Sequence, residues 1–340
     1  MGRSEEELVA LTNETLNRVA RWIDGASLKL ALHKTEAVLL LGNRRMREEG
    51  GVEITPKKSI KYLGVVLDTR VSFSQHVQFA AQKTEGVIAA LGRMMPNLRG
   101  PSSCTKKLLM SVATSTLLYG SESWGPRLKY KKDWKVLTRT QRRALLRIVG
   151  AYRTVSAEAV QVLAGVPPVS LLIQERGARR RNPSLSRAEG RRRTILRWQE
   201  QWMEGEKGER TRALVPDLES WLGREHVEVG FYLAQALTGH GCFGTFLHRI
   251  GRKNTPGCWY CGGEEDDARH TLFDCPRWEL ERLQAAKVSS RWPEESGLIT
   301  TMLESTAGWK AMGQMSREIL RQKGADERRL EARGSVAEWE

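Results

Sequence analysis

The stretch KKDWKVLTRTQRRALLRIVGAYRTVSAEAVQVLAGVPP, residues 131–168, decides the fold class. Lys131, Lys132, Lys135, Arg139, Arg142 and Arg143 recur mostly three or four positions apart, while Trp134, Leu137, Leu145 and Ile148 take the other side. A helix with that spacing carries a ridge of cations opposite an apolar stripe. Gly150 ends it, and a second apolar segment, 156–164, is closed by Pro167-Pro168.

The same periodicity extends in both directions. Downstream of residue 74 it predicts helices over 74–95, 103–119, 131–149, 156–164, 168–202, 213–223, 229–238 and 243–250, and again over 276–287 and 295–323; Pro183 divides the long segment 168–202 in two. The charged carboxy-terminal run that starts at Lys323 is expected to fray. Upstream, residues 5–24 read as an amphipathic helix stopped by Gly25, LKLALHKTEAVLLL as two short strands joined at His33-Lys34, and VEIT with SIKYLGVVLD as a hairpin turning at PKK. The expected fold is mostly α with a small α+β portion, too few strands to bury a sheet alone, like the end of a domain whose beginning is absent.

Composition narrows the partners. Lys and Arg number 55 against 40 Asp and Glu, a net charge of +15, and the segment from Arg127 to Arg212 holds 22 basic and 8 acidic residues. Such a concentrated field suits a polyphosphate, because each neutralised phosphate releases condensed counterions. Bulky apolar anchors are not spread through the segment, which favours nucleic acid over a membrane surface. Arg176, Arg179, Arg180 and Arg181, followed by Arg191, Arg192, Arg193 and Arg197, are the strongest contacts expected, since guanidinium pairs bidentately with phosphate. On the 131–149 helix the candidates are Lys132, Lys135, Arg139, Arg142 and Arg143. The two arginine clusters also match a bipartite nuclear-import pattern. With no apolar stretch of membrane-spanning length, no signal peptide and five cysteines that form no dispersed framework, an intracellular, nuclear protein is expected.

Three of those cysteines and one histidine fall within 18 residues: Cys258, Cys261, His270 and Cys275, a C-x2-C-x8-H-x4-C array. Two thiolates two residues apart face one ion on a tight turn, here beside Gly262 and Gly263, and His270 and Cys275 supply the other corners. Three sulfurs and one imidazole close a tetrahedron and leave no position for substrate, so a structural Zn²⁺ is expected. Cys104 and Cys242, without partners at ligand spacing, are expected as small core residues. Asp266 and Asp267 read as solvated loop residues, and Trp259 and Tyr260 as either a platform for a base or packing against the protein's own helix.

In this order, ALHKTE, YLGVVLD, LLYGSESW, QRRALLRIVGAYRTVSAEAVQVLAGVPP, LTGHGCF and CWYCGGEEDDARHTLFDCPRW resemble the carboxy-terminal part of reverse transcriptases from non-LTR retrotransposons of the arthropod R1 type, over roughly residues 1–285. The resemblance implies an end of the polymerase palm over 1–73, a helical thumb and basic connector over 74–212, a helical segment over 213–256, a zinc knuckle over 257–290 and a charged helical tail over 291–340. It implies that Lys34, in Ala31–Glu36, lies near the incoming nucleotide and protonates the pyrophosphate leaving group in the intact enzyme. It implies that Tyr62, Leu63 and Gly64 belong to a primer grip, and that the basic helices follow the backbone of an RNA or DNA template–primer. Catalysis in the family needs Mg²⁺ held by aspartates, normally including an Ala-Asp-Asp turn. The chain reads as beginning just after that turn, so it is expected to bind nucleic acid without polymerising. The alternatives are a host-adopted nucleic-acid-binding zinc-knuckle protein and a nonfunctional relic of the element.

Overall fold

The computed structural model describes residues 5–29, 34–40, 57–96, 100–224 and 229–337. Contacts divide the chain into two units, Met1–Phe79 with Arg127–Lys129, and Ala80–Pro126 with Tyr130–Glu340.

The first unit holds α1 (Glu5–Gly25), the antiparallel pair β1 (Ser59–Tyr62) and β2 (Val65–Asp68), and the start of α2 (Ser74–Arg93). A hairpin turns at Leu63-Gly64, within the segment read as one strand; VEIT, expected to pair with that segment across PKK, lies outside the described residues. Leu63 (φ 46°) and Gly64 (φ 83°) are both left-handed, as a two-residue hairpin loop demands. Leucine carries no turn signal, so SIKYLGVVLD reads as one unbroken strand from sequence. Asp68 stops the strand and starts the helix: its carboxylate accepts the amides of Arg70, Ser72 and Phe73 at 3.1, 3.1 and 2.8 Å. Of the two strands expected around His33-Lys34, residues 30–33 and 41–56 lie outside the described residues, and 35–40 form no strand.

The second unit is helical: α3 (Ser103–Leu117), α4 (Ser121–Trp124), α5 (Lys131–Val149), α6 (Ala157–Ala164), α7 (Val169–Arg181), α8 (Arg187–Glu204), α9 (Glu209–Leu214), α10 (Leu218–Gly223), α11 (Phe231–Thr238), α12 (Gly244–Arg249), α13 (Glu279–Ser289), α14 (Leu298–Glu304) and α15 (Thr306–Ala337). The bounds of α5 are those read from the sequence, with Gly150 as its left-handed cap. Pro183 separates α7 from α8, and Ser186 restarts the chain by accepting the Glu189 amide at 3.1 Å. Apolar stripes of these helices share one core that includes Leu145, Val160, Leu237 and Leu272, and Trp198, Trp202, Trp221 and Trp278 are almost wholly buried in it. At its centre Gln141 ties α5, α6 and α7 together, donating to Pro167 O at 2.8 Å and accepting from Gln161 and the Val169 amide at 2.9 and 3.0 Å.

Three expectations are corrected here. Residues 295–323 are not one helix: Ser305 is extended, and its hydroxyl accepts the Gly308 amide at 3.0 Å to start α15, which packs back along α14. The run from Lys323 does not fray at its start, because α15 continues to Ala337 and buries Lys323 and Glu327. Cys242 is buried as expected, whereas Cys104 is exposed on the outer side of α3. Among the described residues no single helix is long and apolar enough to cross a membrane.

Candidate metal centre and nucleic-acid interface

Two tight turns bring the four expected ligands together. At Cys258-Trp-Tyr-Cys261 the chain doubles back through Gly262 (φ 77°), with Gly262 N donating to Cys258 O and Cys258 N to Gly263 O, both at 2.8 Å. At Gly263 an added Cβ would lie 3.3 Å from His270 Cε1, close enough that the imidazole would have to shift by a few tenths of an ångström. His270–Asp274 is a single π-helical turn whose closing bond, Cys275 N to His270 O at 2.7 Å, holds the third and fourth ligands side by side. Asp267 fixes its start by accepting the His270 amide at 2.7 Å.

The ligand atoms all lie within 4.8 Å of one another, with Cys258 Sγ 3.9 Å from Cys275 Sγ and Cys261 Sγ 3.4 Å from His270 Nε2. A tetrahedral Zn²⁺ with bonds of about 2.3 Å to sulfur and about 2.0 Å to nitrogen has edges of roughly 3.8 and 3.5 Å. The cluster can therefore hold a metal ion, and its donor set and edges fit zinc. Burial pushes the Cys275 thiol up to about 12, so a metal there must displace a firmly held proton. Burial also opposes ionisation of Cys261, yet the Gly263 amide and the neighbouring thiols bring it below the ordinary thiol value.

This segment shares the main core: Cys258, Ala268, Leu272, Phe273, Cys275 and Trp278 are all buried in it. Asp266 is the fastening point and corrects the solvated-loop reading. Wholly buried, it accepts from Gly244 N at 2.9 Å, Thr271 Oγ1 at 2.7 Å and Lys323 Nζ at 2.6 Å. Trp259 and Tyr260 stack on each other and turn to α15, where Trp259 Nε1 donates to Glu327 at 3.2 Å and Tyr260 Oη to Asp326 at 2.8 Å. The packing alternative thus holds for both rings.

The expected nucleic-acid contacts separate by what they touch. Lys132, Lys135 and Arg139 are exposed on α5, and Arg179, Arg180, Arg181 and Arg192 on α7 and α8; none has an ion-pair partner among the described residues. Arg143 pairs with Glu85 at 2.7 Å, Arg191 with Glu175 at 3.2 Å and Arg193 with Glu189 at 2.9 Å. Arg142 turns inward, donating to Val155 O at 2.7 Å and to Arg153 O, which pins the loop after α5. Tyr62 and Leu63 are exposed at the hairpin tip, and Lys34 is exposed beside the undescribed 30–33.

A mostly helical chain with a Cys3His cluster able to hold a metal ion is the class defined so far. The chain is also a relative of R1-type non-LTR retrotransposon proteins. It is 27% identical over 303 residues to the retrovirus-related Pol polyprotein from type-1 retrotransposable element R1 of Bradysia coprophila, covering 81% of this chain and 30% of that polyprotein. It is 29% identical over 298 residues to the corresponding R1 polyprotein of Nasonia vitripennis, covering 78% of this chain and 87% of that one, and 26% identical over 301 residues to the R1 4 polyprotein of the same wasp. The chain thus spans under a third of the Bradysia polyprotein. No family model matches the chain, and no solved structure matches it.

Proposed function

We propose that this chain is the carboxy-terminal part of a retrotransposon RNA-directed DNA polymerase, and that these residues bind RNA and DNA along the phosphate backbone without carrying out polymerisation. The observation that carries the reading is the set of exposed cations Lys132, Lys135 and Arg139 on α5 and Arg179–Arg181 with Arg192 on α7 and α8, which have no ion-pair partner among the described residues. A surface rich in guanidinium with no internal carboxylate partners gains most from phosphate.

In this reading residues 1–73 end the palm, with Tyr62-Leu63-Gly64 as the primer-grip hairpin, and 74–212 are thumb and connector. Residues 213–256 lead to a knuckle at 257–290, where Cys258, Cys261, His270 and Cys275 hold a structural Zn²⁺, and 291–340 clamp it through α15. Lys34 would act as general acid, and Mg²⁺ would enter, only in the intact polymerase. Asp266, half of the sole Asp-Asp pair in the sequence, is buried against Lys323 and so is taken up by the core rather than free to hold Mg²⁺. The arginine clusters would also serve nuclear import.

The test is fluorescence anisotropy of the zinc-loaded full chain with an RNA–DNA hybrid. Reversing Arg179, Arg180 and Arg181 to Glu is expected to weaken binding at least tenfold on the order-of-magnitude scale of lost phosphate contacts. Unchanged affinity in a folded variant would sink the reading.

A further inference from the structure

A cleft of roughly 600 Å³ opens beside the pinned loop after α5, between α11, α12 and α15, and none of the residues assigned above to the backbone interface lines it. Its volume lies inside the range of about 300–1,000 Å³ typical of pockets that enclose small ligands. Aromatic rings form one part of its wall: Tyr152, Phe231, Tyr232 and Phe246. Tyr152 is more than a third exposed, and Phe231 and Phe246 flank it with ring centroids at 5.7 and 6.3 Å. Arg142 holds this turn through its bonds to Arg153 O and Val155 O, one and three residues after Tyr152.

Four arginines share the wall with small, polar and aliphatic residues such as Thr154, Gln235 and Leu320. Arg153, Arg252, Arg321 and Arg328 line the cleft, and Arg153, Arg252 and Arg328 have no ion pair among the described residues. The only carboxylate among the lining residues, Glu327, is already engaged by Lys253 Nζ at 3.4 Å and Trp259 Nε1 at 3.2 Å. An aromatic platform that shares a cleft with guanidinium groups is the combination that holds an unpaired nucleotide: the base stacks, and the phosphate meets arginine. A base inside a duplex has both faces covered and cannot stack there.

We propose that this cleft binds an unpaired nucleotide of a single-stranded RNA or DNA segment, with Tyr152 as the stacking platform and Arg252 and Arg328 as phosphate contacts. The inference rests on the nucleic-acid reading above and adds a second, single-strand-specific site to the duplex-facing cations of α5, α7 and α8.

The experiment measures, on the zinc-loaded full chain, anisotropy of a labelled single-stranded DNA decamer and, separately, of the RNA–DNA hybrid. Tyr152→Ala is expected to weaken the decamer by about 5- to 100-fold, as for loss of one stacked base, and to leave the hybrid unchanged. Tyr152→Phe keeps the ring and should bind the decamer as wild type does, which separates stacking from misfolding. Arg252→Gln with Arg328→Gln, both at exposed positions, should lower the salt dependence of decamer binding by about 1.4 in log–log slope. Wild-type decamer affinity in a folded Tyr152→Ala, or equal losses for decamer and hybrid, would overturn the proposal while leaving the backbone reading intact. Tyr152-dependent binding of polyglutamate in place of the decamer would make the cleft a peptide site and overturn it too. No binding of either nucleic acid by wild type would remove both readings.

Discussion

Lys323 Nζ lies 2.6 Å from Asp266 Oδ2 with both side chains wholly shielded from water. The lysine comes from the middle of α15 and the aspartate from the segment between Cys261 and His270, so this pair bolts the metal-ligand segment to the last helix. Attraction between buried charges offsets their desolvation only while both are present and the remaining hydrogen-bond capacity is used, as Gly244 N and Thr271 Oγ1 use it here. Lys323→Met should therefore cost about 3–5 kcal/mol by stranding the carboxylate. Adding Asp266→Asn should recover part of that loss. Denaturant unfolding of the two single variants and the double tests this; additive losses would show that the pair is not coupled.

Metal loading should follow the four ligands and not the other cysteines. Elemental analysis of protein purified under reducing conditions should give about one Zn²⁺ per chain, lost in Cys258→Ser and in His270→Ala and retained in Cys104→Ser. Trp259 and Trp278 flank the cluster, so chelation should also shift tryptophan emission to longer wavelength. Zinc-free wild type would contradict the assignment.

Gly308 allows the first turn of α15 to pass against the end of α14, where a Cβ would collide with Thr301 O. A backbone oxygen cannot retreat as a side chain can. Gly308→Ala should destabilise by about 3 kcal/mol, the upper part of the overpacking range, and thermal unfolding reads it directly. A variant as stable as wild type would mean that α14 and α15 do not cross this closely.

His240 supplies a pH dependence. Burial first, then Arg249 and Arg142, lower its pKa to about 4, while its ring rests on Phe246 and its Nδ1 meets Thr154 Oγ1 at 2.8 Å. In the unfolded chain it titrates near 6.5. Between these values the unfolded state binds the extra proton, so stability is full above about 6.5 and falls as pH drops toward about 4. His240→Gln should show a shallower loss of melting temperature from pH 7 to pH 4.5 than wild type; parallel curves would exclude the histidine as the cause.

Local patterns were legible in the sequence, and long-range partnerships were not. Alternation of apolar and basic residues was enough to bound α5, and the C-x2-C-x8-H-x4-C spacing was enough to name four ligand atoms that the fold brings within 4.8 Å. Asp266 looked like a solvated acid because its partner lies 57 positions away, on a stretch whose charge suggested fraying. The break at Ser305 was hidden because no proline or glycine marks it. Arg142 repeats the helical spacing of its neighbours, yet a slightly different angle on the helix turns it to the loop carbonyls instead of solvent. The cleft at Tyr152 joins four distant segments, and no local motif announces it.

The central claim is that exposed cations of α5, α7 and α8 hold a nucleic-acid backbone, and its most direct measure is the dissociation constant for an RNA–DNA hybrid across a series of salt concentrations. Each neutralised phosphate contributes about 0.9 to the slope of log affinity against log salt for a duplex. With roughly half of the seven unpaired cations engaged, a slope of about −3 or steeper is expected. Absence of binding at low salt, or a slope shallower than about −1, would contradict the account.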